Sequence, residues 1–124
     1  MTQVRVLIVD DLEFMRSAIR EILESAGISV AGEAVDGLDG IGKYRDLRPD
    51  VVLMDITMPK LDGLNALKRI RYGDPAANVV MCSSLGQDRY IIRAIQLGAR
   101  DFIVKPFKPQ RVVSAVKKAA GVEE

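Results

Sequence analysis

Four short apolar runs of this chain end on side chains able to do chemistry. Asp10 and Asp11 follow Val4–Val9, Asp55 follows Val51–Met54, Ser83 and Ser84 follow Val79–Cys82, and Lys105 follows Phe102–Val104. An ionised carboxylate directly after a buried run, as at Asp55, costs several kcal/mol unless something pairs with it. Three carboxylates gathered at one place repel one another unless a hard cation stands among them. Mg²⁺ suits that donor set, because it prefers oxygen ligands in octahedral geometry and takes one or two carboxylates together with waters and phosphate oxygens. A hydroxyl from Ser83 and an ammonium from Lys105 would complete a site for a transferring phosphoryl group. Taken singly, each feature is ordinary: an Asp doublet caps a helix, a lone Asp turns the chain, a Ser caps, a Lys is solvated. Their joint occurrence at the ends of four runs out of five is what argues for chemistry.

Such chemistry needs a fold that brings the run ends together. A short apolar run precedes a helical pattern five times, the remaining run being Val30–Ala34, and this alternation predicts an α/β fold. The runs are rich in Val and Ile and do not alternate in polarity, as expected of parallel strands covered on both faces. One helix is predicted over Leu12–Ala26, with Met15, Ala18, Ile19, Ile22 and Leu23 on one stripe and Gly27 as the stop; another over Arg89–Leu97 stops at Gly98. A third begins after the N-cap Asp62 and runs through Leu64, Leu67 and Ile70 to Gly73-Asp74-Pro75. The last begins at Pro109 and runs through Val112, Val113 and Val116 to Gly121. The segment DGLDGIGKYRDL carries Gly37, Gly40 and Gly42. Each interior Gly costs about 1 kcal/mol relative to Ala, so a short or frayed helix is expected between roughly Leu38 and Leu47. An open parallel sheet of this kind binds its ligand outside the carboxyl ends of its strands, where the strand order reverses.

Composition narrows the classes. A chain of 124 residues with 48% apolar residues has material for one core, and no linker or internal repeat divides it, so 1–124 is expected to be a single domain. No stretch is apolar enough to span a membrane and MTQVRV lacks the layout of a signal peptide, which points to the cytoplasm. Cys82, the single cysteine, sits in the apolar segment NVVMC and is expected simply to pack. Histidine is absent, which removes histidine acid–base catalysis, histidine metal ligation and any phosphohistidine on this chain. The net charge of +1 gives no reason to expect a nucleic acid or membrane partner. Residues 1–62 nevertheless carry 12 acids against 7 bases, and residues 63–124 carry 5 acids against 11 bases.

The stretches VLIVDD, DVVLMDITMP with the following LDGL, SS after the fourth run, and DFIVKPF together resemble the receiver domain of two-component response regulators over essentially the full chain. The resemblance implies a flavodoxin-like fold, a five-stranded parallel sheet in the order 2-1-3-4-5 with five helices on both faces. It implies that Asp55 is the phosphoacceptor, that Asp10, Asp11 and Asp55 hold Mg²⁺ together with the backbone carbonyl of Thr57, that Ser83 is the switch hydroxyl, and that Lys105 pairs with the phosphate. Phe102 falls at the switch-aromatic position, where Tyr is common; it can change rotamer but cannot make a phenolic hydrogen bond. Thr57 and Leu85 would flank the path of a water attacking the acyl phosphate. Receivers usually place a cis peptide at the position of Lys105-Pro106.

The resemblance further implies a signalling switch that catalyses its own phosphorylation and dephosphorylation and is not otherwise an enzyme. A receiver with nothing attached is most often a chemotaxis regulator or a phosphorelay intermediate; FMR, DITMP, CSSLGQ and FIVKPF look most like the chemotaxis subgroup, with a phosphorelay intermediate or another stand-alone receiver as the alternative. The implied partners are a histidine kinase, a phosphatase, and a flagellar motor switch protein or other acidic peptide on the face made by helix four, strand five and helix five, with the chain itself a monomer. Arg89, Arg93, Lys108, Arg111, Lys117 and Lys118 are the bases expected to gather on that face. Two rival classes fit less well. A flavin-binding electron carrier shares this topology but wants Gly, Ser and Thr where this chain has DDLEF, and a Mg²⁺-dependent phosphatase acting through an aspartyl intermediate wants its nucleophile after strand one.

Overall fold

The computed structural model describes residues 3–122. Five strands alternate with five helices: β1 Arg5–Val9, α1 Glu13–Ser25, β2 Ser29–Ala34, α2 Gly37–Leu47, β3 Val51–Met54, α3 Gly63–Gly73, β4 Val79–Ser83, α4 Asp88–Gln96, β5 Asp101–Val104 and α5 Pro109–Ala119. The strands form one parallel sheet in the order β2-β1-β3-β4-β5. The three central strands are buried nearly throughout, whereas edge strand β2 is only half-buried, which is why its segment reads as less apolar. Side chains leave the sheet towards two cores. Leu7, Val9, Val52, Met54, Met81 and Phe102 pack on the side covered by α2, α3 and α4, while Val6, Ile8, Leu53, Val80, Cys82 and Ile103 pack under α1 and α5.

The helix boundaries follow the capping signals. Asp62 accepts a hydrogen bond from the Asn65 amide and starts α3; Pro109 occupies the first turn of α5; Gly27 and Gly98 leave α1 and α4 with φ of +77° and +98°. The glycine-rich segment departs from expectation. α2 is a full helix of 11 residues, capped by Asp36 on the Asp39 amide. Its glycines serve close packing: Gly37 donates its amide to the Leu61 carbonyl at 3.1 Å, and a Cβ there would collide with that oxygen. Gly40 lies against Val9, 3.0 Å from where its Cβ would stand. The propensity cost of glycine is outweighed by the approach of α2 to the sheet and to the β3–α3 loop.

Candidate functional site: an acidic corner at the carboxyl edge of the sheet

The register of the central strands assembles the site. Val9 of β1 stands beside Met54 of β3, and the next residue on each strand is an acid. The Asp55 amide donates to the Val9 carbonyl at 3.0 Å and the Asp10 amide to the Ala34 carbonyl at 3.1 Å, so both acids are fixed by the ladder itself. Carboxylate oxygens of Asp10, Asp11 and Asp55 lie within 4.8 Å of one another. Asp10 is 2% exposed and Asp55 9%, while Asp11 is open to solvent. Lys105, just past β5, crosses to this corner: its Nζ donates to Asp10 Oδ2 at 2.8 Å and to Asp55 Oδ2 at 3.3 Å. Burial, the largest influence on Lys105, favours the neutral amine, but the two carboxylates outweigh it and hold its pKa above the usual lysine value. The remaining oxygens of the two buried acids accept main-chain amides, Asp55 Oδ1 from Ile56 at 2.7 Å and Asp10 Oδ1 from Leu12 at 2.9 Å. The Asp11 carboxylate has no partner among the described residues.

Residues 6–117 match the family described as the response regulator receiver domain. This chain belongs to that family. It is 52% identical over 116 residues to the chemotaxis protein CheY of Thermotoga maritima, covering 94% of this chain and 97% of that protein. It is 51% identical over 114 residues to CheY of Bacillus subtilis, covering 92% and 95%. Among solved structures, the CheX-CheY-BeF3-Mg complex of Borrelia burgdorferi superposes with a TM-score of 0.90 at 37% identity, over 93% of this chain and 87% of that one. The response regulator domain of Thermotoga maritima CheB superposes with a TM-score of 0.91 at 37% identity, over 99% and 100%.

The other receiver positions named from the sequence are distributed around the acidic corner. Ser83 ends β4, 1% exposed, and its Oγ accepts the Leu85 amide at 3.1 Å, while its carbonyl accepts the Lys105 amide at 2.9 Å. The strand end that carries the hydroxyl is thus tied to the residue that carries the ammonium. Thr57 is exposed in the β3–α3 loop, and its carbonyl accepts no hydrogen bond among the described residues. Phe102 points inward into the core on the side of α3 and α4. The Lys105-Pro106 peptide is cis. Cys82 packs as expected; burial pushes its thiol up to about 12, so it is no nucleophile at neutral pH.

The donor set fits a hard divalent cation: three oxygen donors converge, the one solvent-facing carboxylate among them lacks any other partner, and no sulfur or imidazole competes. Sequence reasoning missed two residues that shape this receiver site. Gly63, at the start of α3, donates its amide to the Ile56 carbonyl at 2.7 Å, and a Cβ there would collide with the Asp55 carbonyl; the LDGL stretch is its only signal. Arg16 donates to the Asp10 carbonyl at 2.6 Å; it lies in the FMR stretch, which marked the subgroup but gave no role to this residue. The expected basic face is also divided. Arg111 makes a two-pronged ion pair with Asp101 at 2.9 Å, and Lys117 lines a groove between α1 and α5, on the α1 side of α5 rather than towards α4.

Proposed function

We propose that this chain is a Mg²⁺-dependent phosphoacceptor switch of chemotaxis signalling, phosphorylated on Asp55 by a partner histidine kinase. The observation that carries the reading is the Asp10–Asp11–Asp55 corner bridged by Lys105 at the carboxyl ends of β1, β3 and β5. A Mg²⁺ ion held by Asp10, Asp11, Asp55 and the Thr57 carbonyl would offset charge on the phosphoryl oxygens. Asp55 attacks the phosphorus of a phosphohistidine or of a small donor such as acetyl phosphate; an acyl P–O bond forms as the P–N or donor P–O bond breaks, and the imidazole or carboxylate departs. Lys105, paired with Asp55 Oδ2 at 3.3 Å, meets the developing charge. Ser83 Oγ lies at the end of the strand hydrogen-bonded to Lys105 and can donate to a phosphoryl oxygen. The aspartyl phosphate adds about −1.5 to −2 charge, and a shift of the β4 end towards it reaches Phe102 and α4.

The output face on this reading is α4, β5 and α5, where Ile92, Ile95 and Val104 are exposed apolar side chains. Arg93 supplies charge there, and an acidic amphipathic segment of a flagellar switch protein fits that combination. The test is labelling with acetyl phosphate under titration of Mg²⁺, followed by hydroxylamine, which cleaves acyl phosphates. Mg²⁺-dependent, hydroxylamine-labile label is the expected result. Label that survives hydroxylamine, or that forms equally with chelator, contradicts it.

A further inference from the structure

Arg16 sits in the first turn of α1 and reaches in two directions. Its Nη1 donates to the main-chain carbonyl of Asp10 at 2.6 Å, and its Nε donates to Glu33 Oε1 at 3.0 Å. Glu33, on β2, is gripped from a second side by Arg20 Nε at 2.8 Å, and its own carbonyl accepts Lys43 Nζ at 2.5 Å. Burial by itself would raise the Glu33 carboxyl, but the two guanidinium hydrogen bonds hold it below the usual carboxylate range, so it stays ionised.

We propose that Arg16, anchored by Glu33, is a positioning residue for the cation site: it clamps the Asp10 carbonyl and so fixes the turn from which Asp11 faces the corner. The inference rests on the Mg²⁺ reading given above. The turn is also bridged by the Leu12 amide on Asp10 Oδ1 at 2.9 Å, and Arg16 is what holds the Asp10 carbonyl. Asp11 has no side-chain partner among the described residues, and the N-cap of α1 is Leu12, which offers no side-chain cap. The clamp takes a carbonyl and leaves every carboxylate oxygen of the corner untouched. Two effects oppose each other here, since an ordered Asp11 strengthens cation binding and a nearby guanidinium charge weakens it. Glu33, shared between Arg16 and Arg20, offsets part of that charge, and the clamp is expected to act mainly through ordering. Partners of this kind, which orient a metal ligand without touching the metal, typically change affinity by roughly 10–100-fold.

Calorimetric titration of Mg²⁺ into the parent, Arg16→Met, Arg16→Lys and Glu33→Gln separates the possibilities, with thermal midpoints recorded alongside. Expected are Mg²⁺ affinity about tenfold or more weaker in Arg16→Met, little rescue by Arg16→Lys, which keeps the charge but cannot make both bonds, and a smaller loss in Glu33→Gln. In acetyl phosphate labelling the deficit should fall on the half-saturating Mg²⁺ concentration. Glu33→Gln and Arg16→Lys carry the test if Arg16→Met does not fold. Variants that lose thermal stability yet bind Mg²⁺ as the parent does, or that bind it more tightly, overturn the inference. A parent with no saturable Mg²⁺ binding overturns the underlying reading of the site instead.

Discussion

At the residue scale, the three acids of the corner differ in what holds them. Asp10 and Asp55 each share Lys105 and a main-chain amide, whereas the Asp11 carboxylate faces both of them with no partner of its own among the described residues. Its presence should therefore cost stability until a cation binds. Asp11→Asn is expected to raise the thermal midpoint at low salt by about 2–5 °C and to abolish most of the stabilisation that Mg²⁺ gives the parent. A lower midpoint, or an unchanged response to Mg²⁺, would contradict this. The acids and Lys105 were legible because each stands at the end of an apolar run, where a charge is out of place unless it has a task. Arg16 and Glu33 were not, since a bond spanning 17 residues between a helix face and an edge strand leaves no periodic trace.

At the element scale, two glycines at the starts of α2 and α3 let those helices approach the loop that follows Asp55. Gly63→Ala would drive a methyl into the Asp55 carbonyl, and overpacking of this sort costs about 1–3 kcal/mol. Urea denaturation should show that loss together with slower labelling of Asp55; a variant as stable and as reactive as the parent would mean α3 adjusts freely. The sequence reading of α2 erred because propensity counts what glycine costs an isolated helix and ignores what a missing Cβ permits in packing. At β5, the Arg111 hydrogen bonds hold the Asp101 carboxyl below its usual 3.8 against a smaller opposing effect of burial. A depressed carboxylate contributes stability that is present above 3.8 and is lost as pH falls through the folded value. Arg111→Met should accordingly cost up to about 1 kcal/mol near neutral pH, the pair being partly solvated, and the gap from the parent should close in acid. A gap independent of pH would place the Arg111 contribution in its aliphatic stem and in its bond to the Phe102 carbonyl.

At the scale of the whole molecule, the acidic corner lies at the carboxyl ends of β1 and β3, while exposed apolar side chains stand on α4 and on edge strand β5. The α/β alternation and the strands were readable because non-alternating Val and Ile runs leave few other options, while the strand order came from the resemblance and was then found in the sheet. The distribution of the bases was not readable, because charge counts take no account of pairing such as that of Arg111 with Asp101. Arg93→Glu, on α4, should weaken binding of an acidic partner segment several-fold, most strongly at low salt, with phosphorylation of Asp55 unaltered. Undiminished binding would move the output surface elsewhere. The central claim, that this corner exists to receive a phosphoryl group on Asp55, is tested most directly by the intact mass of the protein after exposure to acetyl phosphate and Mg²⁺. The account predicts the addition of a single phosphoryl group to the parent and none to Asp55→Asn; an unmodified parent, or an adduct that persists in Asp55→Asn, would contradict it.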